Sequence, residues 1–168
     1  EVDGVGLFGH VWTDPDDRRK GAASFIMEKQ MQHFRDRGGR TLTLGTGYDS
    51  APYHIYKKYG FEGCEENNGY MWYFTEGRET FQHEYFAKSD TVIEPIDWKH
   101  WPVTPSLVMA DVPGAIRCSP IRLFGRVSSE GPMIHLLVYR YKDANRSTIR
   151  AQALVSKATA AVVGRAAY

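Results

Sequence analysis

The sequence has few cysteines, almost no net charge and no long apolar run. It contains two cysteines, too few for a disulfide scaffold and without metal-ligand spacing, so we expect a reduced, cytoplasmic setting and no metal. Lys plus Arg total 21 and Asp plus Glu total 20, which leaves no basic excess for the phosphate contacts of a nucleic-acid-binding protein. No apolar stretch approaches the roughly 18 residues of a membrane span. We therefore predict neither a nucleic acid nor a membrane as partner.

The composition is that of a packed globular protein. Hydrophobic residues make up 42% of the 168 positions and aromatic residues 13%. This share of aromatic side chains is enough to fill a core, and the length suits one ordinary domain or two very small ones.

The first half alternates strands and helices. Apolar side chains at three- and four-residue spacing predict a helix that ends at Gly38 and Gly39, because glycine accepts the left-handed conformation of a helix end. The Asn68-Gly69 pair predicts a hairpin turn. The predicted elements are a strand over 5–13, a helix over 18–36, a strand over 41–45, a helix over 51–59 and a hairpin over 61–74.

The second half is less regular. Residues 77–90 form a connector with some helical tendency, a strand is expected over 91–96, and Asp97 is placed to cap a helix. The apolar run within 129–141 fits a helix or a buried strand, and periodicity does not decide between them. Two β-rich runs, 149–156 and 160–168, predict a hairpin.

The segment from Val11 to Ala23 predicts a phosphate-binding helix start. A strand ends and Pro15 turns the chain. A helix then begins, in which three basic residues, Arg18, Arg19 and Lys20, are followed by three small ones, Gly21, Ala22 and Ala23. The first N–H groups of a helix lack internal partners and carry partial positive charge, so they bind an anion that can approach closely. The alternative is a basic first turn whose alanines pack on a sheet.

Two motifs together resemble the GNAT acetyltransferase superfamily. Arg18-x-x-Gly21-x-Ala23 is similar to the family's [Arg/Gln]-x-x-Gly-x-[Gly/Ala] helix start, and Ile55-Tyr56-x-x-x-Gly60-Phe61 is similar to its second motif. The separation between them, one helix, one strand and a loop, also fits. Pro52 stands where the family often has Ala, which a first helical turn tolerates.

The resemblance implies an acetyl-CoA-dependent N-acetyltransferase acting on a primary amine of unknown identity by direct attack. Tyr56 is then the general acid that protonates the departing sulfur, although an aromatic on the core face of a short helix is the alternative. Acetyl-CoA is the cofactor, as co-substrate. Its pantetheine arm pairs with a strand end that splays from the next strand, and its pyrophosphate lies on the helix start; the implied binding residues are Val11, Trp12, Thr13, Arg18, Arg19, Lys20, Gly21, Ala22 and Ala23.

The general base is less visible. His10 precedes the phosphate-binding helix and is the candidate, against the alternative of a histidine satisfied within the core. A different class of function stays open beside the enzyme: a non-catalytic domain that binds CoA or has a structural role. The absence of an obvious base favours it.

The order of the halves is unusual for this family. Residues 1–76 resemble the later, acetyl-CoA-binding half, and residues 91–168 weakly resemble the front half. The implied fold class is α+β, a mixed and mostly antiparallel sheet flanked by helices. Three arrangements stay open: a circularly permuted domain, a domain swapped between two chains, or a segment cut from a tandem protein. A homodimer is also open, since the family often forms dimers.

Overall fold

A computed structural model describes residues 1–110, 117–118, 123–124, 130–142 and 150–168. Within these ranges the chain has a mixed α+β fold, as the sequence predicts. Its helices are α1 (Ala22–Asp36), α2 (Ala51–Lys58), α3 (Arg78–Tyr85), α4 (Thr104–Met109) and α5 (Glu130–Lys142), and its strands are β1 (Val5–Leu7), β2 (Thr41–Gly45), β3 (Glu62–Gly63), β4 (Tyr70–Phe74), β5 (Thr91–Pro95), β6 (Arg117–Cys118), β7 (Leu123–Phe124), β8 (Ala151–Ser156) and β9 (Val162–Ala167).

The first sheet has the strand order β1-β2-β4-β3. β1 runs parallel to β2, whereas β2 and β4 pair antiparallel along their full length and β3 pairs antiparallel with β4. The predicted hairpin is therefore confirmed. The apolar face of α1 covers this sheet, with Met27, Met31 and Phe34 buried at four- and three-residue spacing.

β1 is much shorter than the sequence predicts. The strand expected over 5–13 ends at Leu7, and the last backbone bond toward β2 runs from the Phe8 N–H to the Thr43 carbonyl at 2.8 Å. His10 then adopts a left-handed conformation, with φ +58°, which turns the chain away from the sheet. The next residues therefore leave β2 and are free to border a cleft.

Helix α1 also starts later than predicted, at Ala22 rather than near residue 18. Residues Pro15–Asp17 form a separate 3₁₀ turn, whose first amide is capped by the Asp14 carboxylate. Arg19 and Gly21 have φ of +62° and +87°, values that cannot continue a right-handed helix. The helix consequently begins on two alanines.

The second sheet is an antiparallel β5-β8-β9 ladder. The hairpin predicted over the last two β-rich runs is confirmed, and the run at 129–141 is helix α5 rather than a strand. Among the described residues β9 does not pair with β1, so the two sheets do not join into one ladder.

The halves nevertheless share a hydrophobic core. Val5 of β1 belongs to the same buried cluster as Met133 and Leu136 of α5 and Val162 of β9. A polar contact ties the first half to the connector: Arg40 binds the Glu84 carboxylate of α3 at 3.0 Å. In the part of the chain that the structure describes, no helix is long and apolar enough to cross a membrane.

Candidate functional site

A cleft of about 520 Å³ lies where the segment after β1 meets the N-terminal ends of α1 and α2. Its size is that of a small-molecule site. The cleft is bordered by three stretches of chain: Val11, Trp12 and Thr13; Asp17, Arg18, Arg19, Gly21, Ala22, Ala23 and Ser24; and Ala51, Pro52, Ile55 and Tyr56.

The α1 N-terminus presents uncapped backbone donors to this cleft. Gly21 is the N-cap residue and supplies no side-chain cap, and the first amide to bond back within the helix is that of Phe25, which reaches the Gly21 carbonyl at 3.0 Å. The N–H groups of residues 22–24 therefore have no acceptor within the helix. A Cβ placed on Gly21 would meet no heavy atom within 4 Å. The space beside this terminus is open to an anion.

The three basic side chains that precede α1 differ in whether they line the cleft. Arg18 and Arg19 line the cleft, and the Arg18 Nε donates to the Thr13 carbonyl at 3.2 Å, which ties the two borders together. Lys20 does not line the cleft: its Nζ lies 2.8 Å from the Asp17 carboxylate. Of the three predicted basic contacts, the structure brings two to the cleft and pairs the third with a carboxylate on its border.

Tyr56 reaches the same cleft from α2. The Ser50 hydroxyl caps this helix by accepting from the Tyr53 amide, and its C-terminal end is closed by the Phe61 amide, which donates to the Tyr56 carbonyl at 3.2 Å. The Tyr56 ring packs edge-on to Phe8, with centroids 6.1 Å apart, and against Phe61 at 5.8 Å.

Burial keeps the Tyr56 phenol protonated. The side chain is 7% exposed, and desolvation raises the pKa of its hydroxyl above the usual value of a tyrosine. A neutral phenol that borders a cleft can donate a proton to a leaving group. Tyr56 therefore packs in the core and also borders the cleft: Phe8 and Phe61 bury its ring, while the residue still lines the cleft.

His10 does not lie in this cleft. It is an exposed residue on the border of a second cavity, of about 430 Å³, which the 98–102 segment closes from the other side. The structure therefore does not bring His10 and Tyr56 into one cavity, and it excludes a satisfied core histidine at position 10. Among the described residues no group of three His, Cys, Asp or Glu side chains could hold a metal ion.

The sequence patterns did not reveal every residue of these two cavities. Ala51, Pro52 and Ile55 border the first cleft because α2 points its N-terminal end at α1, a packing relation that no local motif encodes. Trp98 and Trp101 border the second cavity. Their three-residue spacing is the sequence signal that could have placed them on one face of a turn.

One comparison with known proteins finds a match to the chain. Residues 4–64 match a family model described as an acetyltransferase (GNAT) domain. No curated protein and no solved structure matches the chain. The matched segment contains β1, α1, β2 and α2, and therefore every residue that borders the 520 Å³ cleft.

Proposed function

We propose, from the match of residues 4–64 to a GNAT acetyltransferase domain model, that the protein transfers an acetyl group from acetyl-CoA to a primary amine. Acyl transfer in general is the chemistry of that family. The acetyl donor, the amine acceptor and the assigned residues are our proposal.

One observation supports this proposal above all: the uncapped N-terminus of α1 and the buried Tyr56 of α2 border the same cleft. The amides of residues 22–24, with Arg18 and Arg19, would hold the pyrophosphate. The segment 11–13, which leaves β2 after Phe8, has backbone groups outside the β1–β2 ladder and would pair with the pantetheine amides. The residues present thus fit a thioester whose far end is anionic.

The chemistry requires one proton donor and one proton acceptor. The amine nitrogen attacks the thioester carbonyl carbon and forms the C–N bond; the C–S bond then breaks, and the sulfur takes the proton of the Tyr56 hydroxyl. The attacking nitrogen loses a proton in the same sequence. We assign that proton to His10, at the edge of the neighbouring cavity, directly or through water.

A non-catalytic CoA-binding domain is the second candidate. The observation that favours it is the separation of His10 and Tyr56 into two cavities. Such a domain would use the α1 terminus in the same way and would release no thiol from acetyl-CoA with any amine.

The first test is a calorimetric titration of acetyl-CoA into the purified chain. We expect saturable binding with one site per chain, and weaker binding of ADP, because ADP lacks the pantetheine arm that is proposed to pair with the segment 11–13. Absence of binding by a folded protein would contradict both candidates. Thiol release in the presence of a primary amine, measured on the same preparation, separates the enzyme from the non-catalytic domain.

Asp17 supplies a prediction about the same cleft. Its carboxylate borders the cleft and holds Lys20 at 2.8 Å, so Asp17→Asn removes a negative charge near the pyrophosphate and frees Lys20. Both groups are well exposed, so the effect is modest: we expect acetyl-CoA to bind about two- to fivefold more tightly at low salt. Asp16→Asn, in the same 3₁₀ turn but outside the cleft lining, is the matched control. Equal affinities of the two variants would contradict the placement of the pyrophosphate.

A further inference from the structure

Tyr59, at the C-terminal end of α2, contacts the first turn of α1. Its hydroxyl donates to the Ser24 carbonyl at 2.8 Å. Ser24 borders the cleft, and its own N–H is one of the amides at the start of α1 that have no acceptor within the helix. Tyr59 does not line the cleft itself. It therefore reaches the proposed pyrophosphate site only through the backbone of Ser24.

The backbone of Tyr59 is bonded to the residue that carries the proposed general acid. Its N–H donates to the Tyr56 carbonyl at 3.0 Å, and the Phe61 N–H donates to the same oxygen at 3.2 Å. Gly60 lies between them with φ +86°, the left-handed conformation that closes a helix end. Tyr59 thus contacts both helices that border the cleft, α1 through its side chain and α2 through its backbone.

The first turn of α1 has little else to hold it in place. The chain before it is not helical, with φ of +62° at Arg19, and the N-cap Gly21 supplies no side-chain cap. Ala22, Ser24 and Phe25 are all exposed, so burial adds little. Helix ends of this kind fray, because their amides lack partners. An anion that binds to a frayed turn must first order it, which lowers the affinity.

We propose that Tyr59 is a positioning residue of the acetyl-CoA site: its hydroxyl holds the first turn of α1 in order, so that the amides of residues 22–24 already point at the pyrophosphate when it arrives. The inference rests on the proposed function and adds a residue to its binding site. The apparent affinity of a ligand is reduced by the fraction of protein in which its site is not formed. A hydrogen bond that raises the ordered fraction therefore strengthens binding without touching the ligand.

Tyr59→Phe tests this role with the smallest change. The variant keeps the ring that packs against the core of the first half and loses only the hydroxyl. We expect acetyl-CoA and ADP to bind about three- to fivefold more weakly, and by the same factor, because both contain the pyrophosphate. The loss is moderate because the bond to Ser24 is accessible to water. Calorimetry on both ligands measures it. Tyr56→Phe, by contrast, should leave both affinities unchanged.

A matched variant separates positioning from a general loss of stability. Tyr141 donates its hydroxyl to the Asp97 carboxylate at 2.6 Å, in the second half and outside the lining of the cleft. Tyr141→Phe therefore also removes a tyrosine hydrogen bond, but it should leave the affinities for acetyl-CoA and ADP unchanged. Denaturant unfolding gives the stability of each variant. If Tyr59 had only a structural role, its variant would lose stability and bind both ligands as before.

The order of the turn can be measured without any ligand. The Phe25 N–H is the first in α1 that bonds back, to the Gly21 carbonyl at 3.0 Å. Its hydrogen exchange reports how often the first turn opens. We expect this amide to exchange faster in Tyr59→Phe than in the unmodified protein, and at the unmodified rate in Tyr141→Phe. Equal exchange rates in all three proteins would contradict the proposal.

The failures of the two proposals can be told apart. If the unmodified protein binds acetyl-CoA, and Tyr59→Phe binds acetyl-CoA and ADP equally well, the proposed function stands and the positioning role is wrong. A loss of acetyl-CoA affinity with an unchanged ADP affinity would also overturn it, since the hydroxyl would then act on the pantetheine end. If the unmodified protein binds neither ligand, the proposed function is wrong and the inference fails with it.

Discussion

Gly21→Glu should abolish acetyl-CoA binding while the protein stays folded. The new carboxylate would stand at the N-cap, in the open space where the pyrophosphate is proposed to lie, and would accept the amides of α1 in its place. Replacing several charge-assisted hydrogen bonds by repulsion should weaken binding on the order of a hundredfold or more. Calorimetry on the variant, with circular dichroism to confirm folding, measures this loss.

The conformational cost of the substitution needs its own control. Gly21 has φ +87°, so a side chain there costs roughly 1–2 kcal/mol of stability whatever its charge. Gly77 offers the matched change: it is the N-cap of α3, has φ +92°, and also faces open space. Gly77→Glu should lose at least as much stability, because Gly77 combines this φ with a ψ of 155°, a conformation almost restricted to glycine, and it should keep full acetyl-CoA affinity. Retained binding in Gly21→Glu would mean that the α1 terminus is not the phosphate site.

The predictable part of the site lies where the chemistry depends on residues close in sequence. The cradle of Gly21, Ala22 and Ala23 follows from local rules, because small residues at a helix start expose its amides. Tyr56 is predicted from the resemblance of the Ile55-Tyr56-x-x-x-Gly60-Phe61 motif to the GNAT family, whose residues also lie close together in sequence. Both segments border the cleft that the structure forms, although each one's role in binding or catalysis stays a prediction.

The remainder depends on contacts between distant parts of the chain. The extended pattern of residues 5–13 predicts one strand, but backbone pairing with β2 stops at Phe8 and His10 turns with φ +58°. A run of apolar residues does not indicate at which residue its backbone pairing with the neighbouring strand ends. The cavity between His10 and the 98–102 segment likewise joins positions about 90 residues apart, which no spacing rule relates.

The sequence does not decide how the two halves are arranged, for a related reason. Strand pairing depends on which strand edges meet, and the residues of a single strand do not specify its partner. In the structure the halves meet through apolar side chains, with Val5 in one cluster with Met133 and Val162, rather than through a β1–β9 ladder. Side-chain packing of this kind leaves no periodic signal in the sequence.

Tyr56→Phe should separate binding from chemistry most sharply. The variant keeps the ring that packs on Phe8 and Phe61 and loses only the hydroxyl, so acetyl-CoA should bind as in the unmodified protein. Without the proton donor, kcat should fall by about a hundred- to ten-thousandfold. Tyr53→Phe, an equally buried tyrosine of α2 outside the cleft lining, is the control and should retain activity.

The pH dependence gives the same residue a second signature. Burial disfavours the charged phenolate and raises the pKa of Tyr56, so the phenol stays protonated as the pH rises toward 10 and beyond, and the rate should fall only above the ordinary tyrosine pKa of about 10. In Tyr56→Phe that falling limb should vanish, while the rise at lower pH, which reports deprotonation of the amine substrate, should remain. If Tyr56→Phe leaves kcat and the alkaline fall in rate unchanged, another group protonates the sulfur. The uncapped N-terminus of α1 would then still bind acetyl-CoA in this cleft, but Tyr56 would not be the general acid.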